Sequence, residues 1–412
     1  MKVKTETITF SIWCIVLISR ILISLNNGLI SSPLGLYYGS AIILITWMIF
    51  LKIKNRNRRF IQISPLLLWG VSFGVYLLLF GKIFANDSLK SLTSFTFNAM
   101  LVFYILVFFM AAYIDDEHKK TTFIKVSFWT FSLSVMLSSV LNWDGNSQIS
   151  GLISNVFKGY TRDRSAFGFH HPNTVANIAL CIILLSAYLI RNDKKRWRYI
   201  FVDAFMIYVI LSAASRTALS ALMFFIVLII YDNLLKKIKG KNERIIFGVM
   251  LFAIVILLIL FSSKDGLDGL FKVSNRQYNF TYNIPILNNN GRLMIGLGLI
   301  GSGEFYQLPQ YHTFFVDNYF LYVLMSTGII GLLFIITFMV YLGRKLFAGS
   351  EDVPMKRLTL IVFFVNVFSS LGETCFMYPS FASCFIYTTL YIAYACNKED
   401  VELGLRKYEY SM

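Results

Sequence analysis

The stretch TRDRSAFGFHHPNT gathers Arg162, Arg164, His170, His171 and Asn173 within a dozen residues. Two of the four histidines in the chain stand side by side in it. Three further polar groups follow: SAASRT with Arg216, NNNGR with Arg292, and YHTFFVDNY with His312, Asp317 and Asn318. Arginines hold anionic oxygens through forked hydrogen bonds, and a histidine or aspartate can take a proton from a hydroxyl. No GxxxxGK[ST] loop, HExxH motif or GxSxG elbow is present, which argues against an ATPase, a zinc protease or a serine hydrolase. Cys14, Cys181, Cys375, Cys384 and Cys396 form no CxxC pair or metal spacing and read as small buried hydrophobes.

Each polar group also has a plain structural reading. Arg162, Arg164 and Arg292 can be solvated loop charges, which contribute little. The histidine pair can cap a helix, and His312 can be an ordinary loop histidine. Arg216 is harder to explain in that way, because it sits between two short apolar runs, where an unpaired guanidinium is costly. Arg20 lies in the outer half of its apolar run and can snorkel, a structural role.

The elements that must carry these groups are set by composition. Of 412 residues, 57% are hydrophobic and only 15% charged, against roughly 25% charged in soluble domains. So little charge cannot cover a water-facing surface, so lipid is the expected solvent. Apolar runs long enough for a bilayer core fall near 8–26, 34–51, 63–84, 97–114, 122–141, 173–190, 199–214, 217–231, 245–262, 316–342, 357–371 and 376–396. The expected fold is an all-α integral membrane protein of about 12 helices, one polytopic domain over 1–412. The seventh, eighth and eleventh runs are short. The N-terminal run has no small-residue cleavage site after it and reads as a first span rather than a removed leader.

The net charge of +16 does not point to nucleic acid, because the basic residues sit in short clusters between apolar runs. One set of connections, with both termini, carries 27 Lys and Arg against 10 on the other. The positive-inside rule puts both termini in the cytoplasm. Two longer connections, 142–172 and 263–315, then face outward with all the polar groups above. Within the second, the apolar part of NNNGRLMIGLGLIGSGEF is too short to span and is expected as a short helix at the interface.

The ordered set of motifs resembles the O-antigen polymerase and ligase superfamily of bacterial envelope proteins. FGFHHPNTVANIAL is similar to that family's HPN-type or NPN-type entry to a span, and SRTAL to its SRT/SRG stretch. NNNGRLMIGLGLIGSGEF is similar to its arginine segment with a GxG-like end, and DNYFLYVLMSTGIIGLL to its Asn–Tyr–Leu segment followed by GxxG. The likeness covers roughly Arg162 to Leu333; the N-terminal third matches only as apolar spans. The ligase branch commonly has a histidine directly before the asparagine of the last motif. Here that position is Asp317, and His312 lies five residues earlier, which favours the polymerase branch.

The resemblance implies a glycosyltransferase that joins glycan repeat units carried on undecaprenyl diphosphate, in building capsule, exopolysaccharide or O-antigen, at the outer face of a bacterial cytoplasmic membrane. It implies no cofactor and no metal. Its partners would be the lipid-linked oligosaccharide, membrane lipid and other polysaccharide-assembly proteins, with no nucleic acid. Arg216 and Arg292 would hold diphosphate, and His312 or Asp317 would act as base. Arg162, Arg164, His170, His171, Asn173 and Asn318 would bind sugar or phosphate. A lipid diphosphate leaves as a stable anion and needs charge rather than a proton, whereas a glycosidase needs two flanking carboxylates. Several arginines and few carboxylates fit the former. The rivals are a ligase moving finished glycan to another acceptor, a twelve-span transporter or lipid-glycan flippase, and a structural scaffold.

Overall fold

The computed structural model describes residues 2–26, 33–55, 64–85, 90–143, 152, 156, 163–235, 276–301, 316–348, 350, 353–379 and 381–396. Among them are twelve α-helices and no strand. They are α1 (Lys2–Ile23), α2 (Pro33–Asn55), α3 (Ser64–Tyr76), α4 (Lys90–Tyr113), α5 (Glu117–Leu141), α6 (Pro172–Asn192), α7 (Trp197–Ser212), α8 (Arg216–Leu235), α9 (Arg276–Asn289), α10 (Tyr319–Phe347), α11 (Pro354–Ser369) and α12 (Ala382–Ala395). Helix α3 runs on as a π-helical segment, Leu77–Ile83. Eight helices are long and apolar enough to cross a membrane, and the chain is a multi-pass membrane-embedded protein.

Eleven of the twelve expected spans fall on helices; the run 245–262 lies outside the described residues. Two differ from expectation. The eighth run is a full-length span, Arg216–Leu234. The last begins only at Ala382, because apolar residues 375–379 form a buried loop instead of a helical turn.

Helix α6 is the hub: 78% of its span is buried in protein, against 28% for the span Leu66–Ile83. It packs on α5, α7, α8, α11 and α12. Residues 175–186 are buried all round, as in a helix surrounded by others; Asn177 and Ser186 are its buried polar side chains.

Backbone bonds gather the polar connections at one end of the bundle. The His170 amide donates to the Ser24 carbonyl and the Asn26 amide to the Gly168 carbonyl, 2.9 and 2.8 Å. The Ser165 amide donates to the Ser212 carbonyl, and the Tyr319 amide to the Ser370 carbonyl, each at 3.0 Å. Basic connections meet at the opposite end. There Arg191 donates to the Pro354 carbonyl at 3.2 Å, Tyr394 to Glu117 at 3.3 Å, and Arg357 pairs with the buried Asp232. Removing one partner of a buried ion pair strands the other charge. Arg357→Ala is therefore expected to cost about 3 kcal/mol, read as a lower melting temperature in detergent with the helical circular-dichroism spectrum retained.

Helix α10 is broken at Gly328, whose φ of 66° and ψ of −170° are open to glycine and little else. The segment 292–301 enters the break. Its Leu297 and Gly298 amides donate to the Met325 and Ser326 carbonyls, and the Ile329 and Ile330 amides donate to Leu293 and Met294. Tyr76 donates to the Thr327 carbonyl, and the Leu299 amide to the Gly81 carbonyl in the π-helical turn. The expected interface helix is thus not formed over 290–301. The helix lies earlier, at α9, and the glycine-rich part pairs with the broken turn. Non-helical backbone at membrane depth survives only where protein or water satisfies it, and here protein does.

Candidate functional site

The loop 163–171 leads into α6 and is held on both sides. Ser138 donates to the Phe167 carbonyl at 2.6 Å, and the rings of Phe167 and Phe169 are buried. Phe167 and Gly168 take φ of 48° and 80°. A Cβ on Gly168 would run into the Asn142 side chain, so the tight turn needs glycine there. His171 caps α6: its Nδ1 accepts from the Asn173 amide at 3.1 Å. Pro172 follows at the first helical position, where its missing N–H costs nothing. His170 is exposed.

Arg164 is clamped rather than solvated. Its Nε donates to the Ala213 carbonyl at 3.1 Å, and its Nη2 donates to Asn173 Oδ1. Asn173 Nδ2 in turn donates to Glu373 Oε1. Burial holds the Arg164 guanidinium below the usual arginine range; Glu373 opposes that shift, and Arg216 adds to it. Arginine stays charged through such shifts, so two guanidiniums and one carboxylate share the site.

Arg216 is the first residue of α8. The turn before it is tight: Ala213 and Ala214 are fully buried, Ala214 has a φ of 45°, and Ser215 accepts from the Ala218 amide at 3.4 Å. Arg216 Nε donates to the Val156 carbonyl at 3.0 Å. Its charge thus stands at a helix N-terminus, whose backbone N–H groups also attract anions.

Of the other expected residues, three are described, with bonds outside the Arg164–Asn173–Glu373 chain, and two are not. Arg292 donates from Nη1 to the Phe84 carbonyl at 2.7 Å, on the wall made by the π-helical segment. Asn318 caps α10, accepting from the Leu321 amide at 3.0 Å and donating to the Leu371 carbonyl at 2.9 Å. Asp317 beside it is exposed. Arg162 and His312 lie outside the described residues.

Glu373 was not anticipated. It is 7% exposed, in the loop between α11 and α12, and balances part of the arginine charge. An acidic residue between two apolar runs was its only sequence signal. Among the described residues no group of three or more His, Cys, Asp or Glu side chains could hold a metal ion.

Fold and site together define a multi-pass helical membrane protein with a half-buried, net-positive polar cluster at one end. No protein-family model matches the chain, and no curated protein matches it.

Proposed function

We propose that the chain is a polysaccharide polymerase that transfers a growing glycan from its lipid diphosphate to the next lipid-linked repeat unit. The carrying observation is the Arg164–Asn173–Glu373 cluster beside Arg216. Two rigid guanidiniums with one carboxylate leave a net positive site. Guanidinium forks suit the phosphate oxygens of a leaving diphosphate, where charge grows as the glycosidic bond breaks. The acceptor hydroxyl attacks the anomeric carbon, the diphosphate departs with the bonding pair, and a base takes the hydroxyl proton. Asp317 or His312 serves as that base. Arg216 and Arg292 hold diphosphate, and His171 and Asn173 orient the sugar end. Glu373 keeps Asn173 turned toward Arg164.

Against the transporter reading stands the broken helix itself. Transporters leave the freed backbone of such breaks to bind ions or substrate, whereas here the chain's own residues 293–298 occupy it. Deleting the gene is expected to collapse the cell's surface glycan from a ladder on gels to a single repeat unit. A ladder of unchanged length would refute the proposal.

The same reading sets the membrane orientation, with the cluster outside and both termini in the cytoplasm. A cysteine introduced at position 272, Lys272→Cys, is expected to react with a membrane-impermeant maleimide in intact cells. Reaction only after lysis would reverse the topology and remove the site from its substrate.

A further inference from the structure

Another arginine stands at the same end of the bundle, outside the cluster. Arg20, one turn before the end of α1, donates from Nε to the Pro379 carbonyl at 2.8 Å and lies over the Tyr37 ring at 5.7 Å. Its two terminal amino groups have no partner among the described residues. It borders a cavity of about 220 Å³, lined also by Tyr37, Tyr38, Phe95, Ala99 and Tyr378. Tyr37 also lines this space, while its hydroxyl is fully buried and has no hydrogen-bond partner among the described residues. Two donor groups of one guanidinium therefore border one small space with aromatic walls. A guanidinium within a span is costly without a partner and points to a ligand by default.

We infer that this cavity binds the phosphate of a lipid. The terminal guanidinium nitrogens form a fork that fits two phosphate oxygens. Apart from Thr96 and the tyrosine hydroxyls, the rest of the wall is apolar. Leu34 and Phe95, which line the cavity, are 36% and 50% exposed on the flanks of α2 and α4. These are surfaces that face hydrocarbon in a membrane-embedded chain, so a chain attached to the phosphate has apolar surface to lie on. A free anion would leave that flank unused.

The cavity also touches the first site through shared chain. The Ser24 carbonyl, one turn after Arg20, accepts from His170. Pro379 and Glu373 belong to one loop, the former on Arg20 and the latter on Asn173. The inference stands on the cavity and goes beyond polymerisation; joined to that reading, it supplies the place for the second of two lipid phosphates held at once.

The test is lipid binding to the purified full chain, followed by native mass spectrometry. The probes are undecaprenyl phosphate, phosphatidylglycerol and inorganic phosphate, and the variants are Arg20→Gln and Ala99→Leu. Gln keeps a polar side chain without charge; Leu fills the cavity while Arg20 stays. Both variants are expected to lose affinity for a lipid phosphate by about tenfold or more, Arg20→Gln through loss of a charged contact and Ala99→Leu through loss of the space. Preference for undecaprenyl phosphate would mark a carrier site, and equal binding of both lipids a general phospholipid site; either supports the inference. Variants that bind lipid as the wild type does would overturn it, as would binding of inorganic phosphate alone or of no probe. If Arg20→Gln does not fold, Ala99→Leu decides. Glycan length plays no part in this readout, so the polymerase reading can fail while the cavity stands, and the reverse.

Discussion

Arg216→Ala is expected to abolish nearly all polymerisation while the protein inserts and accumulates normally, and Arg216→Lys to lose most of it. The reason is the mount. The arginine begins α8 after a turn of buried Ala213 and Ala214, with Ser215 capping the helix and Nε bonded to the Val156 carbonyl. A charge held in advance stabilises an anion forming in the transition state without reorganising, and removal of such a contact costs about 2.7–4 kcal/mol, or a hundredfold to a thousandfold in rate. Lysine keeps the charge but loses the fork. The measurement is glycan length on gels, with membrane expression as the control. Normal-length polymer from Arg216→Ala at normal expression would reduce Arg216 to a topological charge and remove it from the proposed diphosphate site.

Gly328→Ala is expected to be strongly destabilising. The backbone there has a conformation that an alanine adopts only with strain. The added methyl would also fall on the Met294 and Ile295 backbone, which cannot swing aside as a side-chain tip can. Strain and overpacking together set a cost of about 2–5 kcal/mol. Gly296→Ala meets the Ser326 and Thr327 backbone from the other side and should behave alike. Gly74→Ala, which has open space around it, should be near neutral. The readout is the melting temperature of the purified protein in detergent. Equal melting temperatures for Gly328→Ala and Gly74→Ala would mean that the break in α10 is not held by segment 292–301.

What the sequence discloses of this fold follows from what each signal depends on. Spans are local, since about 20 apolar residues identify themselves. The start of α6 is local too, with His171, Pro172 and Asn173 forming the cap within three residues. The break in α10 is not local. Residues 316–342 read as one apolar run, and the meaning of Gly328 depends on Met294, which lies in a different stretch of chain. The buried loop before α12 is hidden for a related reason: Cys375, Phe376 and Met377 are as apolar as a helix would be. At the candidate site, Arg164 and Asn173 stand nine residues apart in one polar stretch and were legible together. Glu373 meets Asn173 across two hundred residues, and a lone acid carries no spacing to betray its partner. Arg20 shows the limit of reading depth alone: its place near a span end suggests snorkelling, while the cavity beside it needs α2, α4 and the Pro379 loop to exist.

The most direct test of the proposed chemistry is reconstitution. The purified chain in liposomes is supplied with lipid-linked repeat units extracted from cells that lack it, and products are followed on gels. The account predicts a ladder of glycans rising by one repeat unit, with one lipid diphosphate released for each new glycosidic bond, and no ladder from Arg216→Ala. Movement of the lipid-linked units across the bilayer with no new glycosidic bond would contradict it and make the chain a transporter.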